Sequence, residues 1–444
     1  MAPSAPDLFR VDRLGSADRP SPLSVASPKS FVSDLKRILV DPHTETVRET
    51  LAGGGELASF EVAGPRDRIF FEPGSTRAAI ATCGGLSPGI NDVIRALVMQ
   101  LWYRYGVRQI LGAPFGYHGL GRQRSPGLRE LTPELVRNVH ERGGSMLGTS
   151  RGTPPTAEIV DTLAANEVQI LFTVGGDGTM RGARAIHEEI RRRGLEIAVV
   201  GVPKTIDNDI PWVRRSFGFE TAVVRASEAV RGAHTEAEAV RNGLGLVKLM
   251  GRHSGYIAAS AVLATGHSNF CLVPEVPFSL EGENGLLALL EARLEVRHHA
   301  LIVVAEGAGQ EYFDASVGED ASGNRRLGDV GALLRERISA HFAGLRKQLR
   351  LKYINPSYLV RSAPANASDS LYCARLAQNA VHAAMAGKTG LLVGYWHGQM
   401  THVPLKALED RTQSINPDGE LWLNVLESTG QPAKIGDPAL VERG

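Results

Sequence analysis

From about residue 76 onward the apolar positions fall into short unbroken runs separated by amphipathic stretches. "RAAIATC" (77–83), "QILFTVGG" (169–176), "EIAVVGVP" (196–203), "GLVKLMG" (245–251), "FCLVPE" (270–275) and "ALIVVAEGA" (300–308) lack the alternation of a half-exposed strand. They read as strands covered on both faces, the pattern of a parallel sheet. Between them, "INDVIRALVMQLWYRYG" (90–106), "GARAIHEEIRRRG" (182–194) and "SGYIAASAVLATG" (254–266) carry helical periodicity and close on glycine. Strand–helix alternation implies right-handed crossovers and helices on both sheet faces. At 444 residues the chain suits two domains. The prediction is therefore α/β, with two three-layer Rossmann-like domains, largely parallel sheets and an N-terminal extension. Residues 1 to about 30, rich in Ser, Pro and Asp, read as a loose arm; 31–75 read as a short helix and an extended stretch covering the main body.

Composition narrows the classes. Apolar residues at 43% and charged residues at 22% allow large cores, and a net charge of +1 provides no global field for nucleic acid or anionic membrane. Three widely spaced cysteines (Cys83, Cys271, Cys373) argue for a reducing compartment and against a disulfide framework. No apolar run approaches the roughly 20 residues of a membrane span, and the N-terminus lacks a signal pattern. The expectation is a cytoplasmic protein without membrane or nucleic-acid partners.

The chemistry concentrates at strand ends, where open α/β sheets bind ligands. "CGGLSPGIN" (83–91) and "VGGDGT" (174–179) both leave a strand and enter a helix, and their glycines let backbone N–H groups approach an anion. "GTSRG" (148–152) adds the cation Arg151. Asp177 inside an anion-binding turn calls for a cation between it and bound phosphate; Mg²⁺, which takes one or two carboxylates plus phosphate oxygens, fits. A plain turn explains Asp177 taken alone equally well. "GVPKTIDNDI" (201–210) ends an apolar run with Asp207, Asn208 and Asp209. An Asx turn is the simpler account of those three by themselves. Beside a second Gly-Asp-Gly turn they suit phosphoryl transfer, which needs positioning, charge neutralisation and a proton acceptor. Lys204 and Thr205 add a cation and a hydroxyl.

"GGDGT", "PKTIDNDI", "KLMGRHSGYIA", "AEGA" and "PSYLVR", in this order over roughly residues 76–400, resemble the 6-phosphofructokinase family, and most nearly its plant- and trypanosome-like branch. The resemblance implies an ATP-dependent enzyme that converts fructose 6-phosphate to fructose 1,6-bisphosphate with Mg²⁺, as a homodimer or homotetramer. It implies nucleotide contacts from Gly85, Arg151, Gly176, Asp177, Gly178 and Thr179, with Asp177 holding the metal. Asp207 would be the base, with Lys204, Thr205 and Asp209 beside it. Thr205, Ile206, Asp207, Met250, Gly251, Arg252, Glu306, Tyr358 and Arg361 would bind the sugar phosphate. The implied organisation is an extension (1–75), a nucleotide domain (76–215 with 362–410) and a sugar domain (216–361 with 411–444).

Two positions bear on the phosphoryl donor. In the family, pyrophosphate users place an acid at Gly178 and a lysine at Lys204, whereas bacterial-type ATP users have glycine at both. A carboxylate at 178 would take the space of the α-phosphate, so Gly178 favours ATP, and Lys204 suits either donor. The alternatives are a pyrophosphate-dependent enzyme and a regulatory sugar-phosphate-binding subunit, the latter disfavoured by the three retained acids. Family arginines donated from a neighbouring subunit fall near Gly243 and Lys352, and here Arg241 is two residues away from the first. Several stretches are decoys. "GKT" (387–389) lacks the first Walker glycine, "GYHGLG" (116–121) reads as a flexible loop, "IRRRG" (190–194) as a solvated helix end, His298–His299 as a turn, and "NAS" (366–368) as a chance sequon.

Overall fold

A computed structural model of the chain describes residues 5–25, 30–121, 127–313, 318, 326–408 and 411–436. The chain divides into two compact units: Met1–Thr205 with Ile210–Gly218 and Ala363–Arg411, and Ile206–Asp209 with Phe219–Ser362 and Thr412–Gly444.

The first unit holds a nine-stranded sheet, in the order Arg37–Leu39, Ser59–Val62, Gln399–Pro404, Leu391–Trp396, Ala198–Pro203, Ile170–Gly175, Arg77–Thr82, Gln109–Ala113, Arg129–Glu130. The five central strands, 391–396 through 109–113, are parallel, and antiparallel strands extend both edges. Alternation within the apolar runs sorts side chains onto two faces. Ala78, Ile80, Ile170, Phe172, Val174, Ala198, Val200 and Val202 enter one core with the helices Ile90–Met99 and Ala367–Met385. Ala79, Ala81, Leu171 and Val199 enter another with Thr156–Ala165 and Asp177–Arg192. Those two cores make the predicted three layers.

The second unit repeats the plan with four parallel strands, ordered Phe270–Leu272, His299–Ala305, Gly243–Leu249, Arg350–Ile354. Val247, Leu249, Leu301 and Val303 pack with the helices Phe219–Glu238, Tyr256–Thr265 and Glu420–Thr429. Leu244, Leu246, Ile302 and Val304 face Leu286–Arg297 and Val330–Gly344.

Element boundaries moved in instructive places. The helix predicted over 182–194 begins at Asp177, so "DGT" is its first turn. The helix predicted over 90–106 is α-helical to Met99, continues as a π-helical turn over Gln100–Tyr105, and stops at Gly106 with φ 82°. The hairpin 391–396/399–404 and the strands 37–39 and 59–62 extend the sheet beyond the runs identified from sequence. Nor is the N-terminal stretch loose where it is described. Phe9 and Val11 are buried, and Asp12–Arg13 pair antiparallel with Lys388–Thr389. Two apolar anchors, the strand pairing, and hydrogen-bonded contacts of Asp12 with His187 and Arg191 dock it. "GYHGLG" is not a flexible loop either. It forms a 3₁₀ turn in which fully buried Tyr117 donates its hydroxyl to the Thr179 carbonyl at 2.8 Å.

Candidate active site

In the first unit, three glycine stretches are joined by backbone hydrogen bonds. The Cys83 N–H donates to the Val174 carbonyl, the Gly84 N–H to Ser150, and the Lys204 N–H to Gly175, each at 2.9 Å. "CGG", "GTSRG" and "VGGDGT" thus form one continuous backbone surface ending in Lys204. The glycines are needed for different reasons. A Cβ at Gly175 would fall 2.1 Å from the Thr179 hydroxyl, and Gly84 has φ 81°. At Gly85 a Cβ would meet nothing within 4 Å, and at Gly178 only the far end of Arg181 at 3.8 Å. These two glycines leave open space over the start of a helix.

That helix, Asp177–Arg192, presents its N-terminal N–H groups and positive dipole end at the turn. Asp177 is its first residue, with a side chain 40% exposed and ion-paired to Arg181 one turn on. Lys204 is buried, and its Nζ donates to the Gly85 carbonyl at 2.7 Å. A buried ammonium held beside a glycine turn is a preplaced cation for an anion. Arg151 is exposed at the end of "GTSR". Thr205 is half-buried, and its carbonyl accepts from the Ser216 hydroxyl.

In the second unit the central group is Asp207. Burial, then the neighbouring carboxylates of Asp209 and Glu306, push its carboxyl from 3.8 up to about 7, while the Arg252 N–H and the Arg361 guanidinium pull the other way. The Arg252 N–H lies 3.4 Å from its Oδ2. The Ser254 hydroxyl donates to its backbone carbonyl at 2.6 Å. Among the described residues, the buried Asp209 Oδ1 accepts no hydrogen bond. Three acids and Arg252 on strand-end loops, with Arg361 at the end of a short helix, make a site that can bind a phosphorylated polyol and accept its proton.

Around this centre Ile206 and Met250 are buried in the core, Gly251 has φ 126°, and Arg252, Glu306 and Arg361 are half-buried. A Cβ at Gly251 would lie 2.4 Å from the Ser254 carbonyl, so the turn that aims Arg252 requires glycine. Tyr358 differs from the rest: on the short helix Ser357–Arg361 it is 82% exposed. Glu275 was not singled out from the sequence. Its carboxylate accepts the Gly255 N–H at 2.9 and 3.0 Å and the Ile415 N–H at 2.8 Å, holding the loop that carries Arg252. An acid ending the apolar run "FCLVPE" was the available signal.

The decoys resolve structurally. Lys388 of "GKT" is buried between Asp34 and Glu61, so it supports the fold rather than a phosphate. Asn366 of "NAS" caps the helix Ala367–Met385 by accepting the Asp369 N–H at 2.9 Å. Arg192 and Arg193 pair with Glu189 at the end of their helix. Among the described residues no group of three or more His, Cys, Asp or Glu side chains is arranged to hold a metal. No described helix is long and apolar enough to cross a membrane.

Glycine turns over a helix start in one unit, and clustered acids with arginines at strand ends in the other, place the molecule among α/β proteins that hold phosphorylated ligands at strand carboxyl ends. The family model for phosphofructokinase matches residues 77–384. The chain belongs to the phosphofructokinase family. An ATP-dependent 6-phosphofructokinase of Borreliella burgdorferi is 48% identical over 439 residues, spanning 96% of this chain and 97% of that one. One from Trypanosoma brucei brucei is 43% identical over 427 residues, 95% of this chain and 87% of its own. Among solved structures, a pyrophosphate-dependent phosphofructokinase from Nitrosospira multiformis superposes with a TM-score of 0.66 at 20% identity, over 83% of this chain and 96% of that one. At that identity it supports the fold alone.

Proposed function

We propose that the chain is an ATP-dependent 6-phosphofructokinase, transferring the γ-phosphate of ATP to the 1-hydroxyl of fructose 6-phosphate to give fructose 1,6-bisphosphate and ADP. The observation that carries this is Asp207, a buried carboxyl raised to about 7 beside Asp209 and Glu306 and held by the Arg252 loop. An acid poised near neutrality accepts a hydroxyl proton efficiently without being locked in either state. Asp207 takes the proton of the attacking 1-hydroxyl. Arg252 and Arg361 engage the sugar's phosphate through their planar forks, Glu306 accepts its hydroxyls, and Thr205, Ile206, Met250, Gly251 and Tyr358 complete the sugar contacts.

In the first unit the turn Gly176–Thr179, with Gly85 and Arg151, holds the nucleotide, and Lys204 neutralises charge on the phosphates. Asp177 fits Mg²⁺: one half-exposed carboxylate without a protein cage is the donor set this ion takes alongside phosphate oxygens and water. When bound, Mg²⁺ supplies charge neutralisation at the phosphates. The open space above Gly178 supports ATP over pyrophosphate, since it leaves room for the α-phosphate. The enzyme works in the cytoplasm as a homodimer or homotetramer, and the first unit serves the nucleotide while the second serves the sugar. Turnover measured with fructose 6-phosphate and either ATP or pyrophosphate tests the donor. Robust activity with pyrophosphate alone would overturn that choice, and no activity with either would overturn the function.

A further inference from the structure

The base in the proposed reaction sits in a turn whose carbonyls are gripped by residues distant in sequence. Asn208 has φ 55°, a left-handed conformation that asparagine tolerates better than most L-residues. Three consecutive carbonyls of this turn are each bonded from elsewhere in the second unit. The Asp207 carbonyl accepts from the Ser254 hydroxyl at 2.6 Å, Asn208 from Gln413 Nε2 at 2.9 Å, and Asp209 from the Gln413 backbone N–H at 2.9 Å. One residue, 204 positions after Asp209, therefore clamps two of the three peptides.

The clamp is anchored in turn. The Ile415 N–H, two residues on, donates to Glu275, which also accepts from Gly255. The Tyr256 hydroxyl donates to the Ser414 carbonyl at 2.8 Å, and the Ile415 side chain is buried. The segment 413–415 and the loop 250–256 are thereby tied through one carboxylate, with the Asp207 turn between their hydrogen bonds. Burial raises the Glu275 carboxyl, and the Ile415 and Gly255 N–H groups oppose that rise. Those N–H groups hold Glu275 as a fixed strut.

We infer that Gln413 is a positioning residue for the phosphoryl-transfer step. Its amide and backbone N–H hold the Asn208 turn so that the Asp207 carboxylate stays beside Asp209 and Glu306. Without the side-chain donor the Asn208 carbonyl loses its Gln413 bond, and the turn is held less closely between the bonds that remain at the Asp207 and Asp209 carbonyls. Asp207 then gains solvent and loses proximity to the other acids. Both changes lower its proton affinity and misalign it for proton transfer. Arg252, Glu306 and Arg361, which engage the sugar's phosphate and hydroxyls, lie outside this turn and keep their places. The expected signature is a fall in kcat with a nearly unchanged KM for fructose 6-phosphate.

This inference rests on Asp207 being the base, and the test separates the two. The full-length enzyme is assayed as Gln413→Met, which keeps length and removes the donor, as Gln413→Glu, which keeps shape but offers only acceptors to the Asn208 carbonyl, and as Asp207→Asn. Gln413→Met and Gln413→Glu should each lower kcat about 5- to 50-fold with KM for fructose 6-phosphate within twofold. The acid limb of the Gln413→Met pH–rate profile should move about one unit lower. A Gln413→Met enzyme with unchanged kcat, or with reduced kcat but an unmoved acid limb, overturns the positioning role. A fully active Asp207→Asn enzyme overturns the base assignment itself. Circular dichroism melts accompany each variant; a large loss of Tm with unchanged kinetics of the folded fraction marks Gln413 as purely structural and also overturns the inference.

Discussion

Two aspartates at strand-end turns, Asp177 and Asp207, show how environment divides one residue type into different roles. Asp177 opens a helix, stands half in solvent and pairs with a surface arginine one turn along. The helix start and the nearby Arg181 complement a carboxylate at that position. Asp207 is enclosed with two further carboxylates, and burial and like charge favour its neutral form. The first is suited to hold a cation against phosphate, the second to accept a proton. The turns around them differ in the same sense. Around Asp177, glycines keep space open at 85 and 178. Around Asp207, the turn is gripped through its backbone carbonyls.

The largest effect that could break this contrast is on turnover. Asp207→Ala should cut kcat by on the order of 10²–10⁴, with sugar binding changed far less; near-normal kcat removes Asp207 from the mechanism. In the wild type, kcat/KM should fall as pH drops below about 7, because Asp207 becomes protonated there and can no longer accept a proton. A profile flat from pH 5 to 8 would contradict the raised carboxyl.

Stability provides the next test. The folded state holds the Asp207 proton more tightly than the unfolded chain, so between about 4 and 7 the native state binds the extra proton and stability falls as pH rises. Asp207→Asn removes that penalty. The variant should be more stable than wild type by roughly 1–4 kcal/mol above pH 7, a gain that vanishes near pH 4. Equal melting temperatures at pH 8 would refute it. Gly175→Ala, whose Cβ meets Thr179, should cost about 1–3 kcal/mol by denaturant titration; an unchanged midpoint would show that the turn relaxes freely.

Smaller effects sharpen the open side of the contrast. Gly178→Asp should raise KM for ATP about tenfold, the equivalent of about 1.4 kcal/mol of repulsion. It should leave stability within about 0.5 kcal/mol, since the space there is open. Unchanged ATP kinetics would count against the donor assignment. Arg181→Ala removes only an exposed pair one helical turn apart and should cost about 0.3–0.5 kcal/mol. A much larger loss would mean that Asp177 is not the solvent-facing acid described.

The sequence by itself determined the strand–helix alternation, the two α/β units and the family. Apolar runs covered on both faces and glycine–acid turns at their ends are local patterns, and local patterns survive in one dimension. It also brought Asp177, Lys204 and Asp207 forward as chemistry, because residue type and strand-end placement suffice for that. Tertiary structure alone decided that Asp177 begins a helix, that Phe9 and Val11 dock the N-terminal stretch, that Tyr117 is a packed strut, and that Tyr358 is exposed. It decided too that Gln413 grips the Asp207 turn and that Glu275 ties the segment carrying Gln413 to the Arg252 loop. Backbone carbonyls carry no sequence signature, and a partner about two hundred residues away can be found only once the chain has folded back on itself; proton affinity, likewise, depends on which charges burial gathers together.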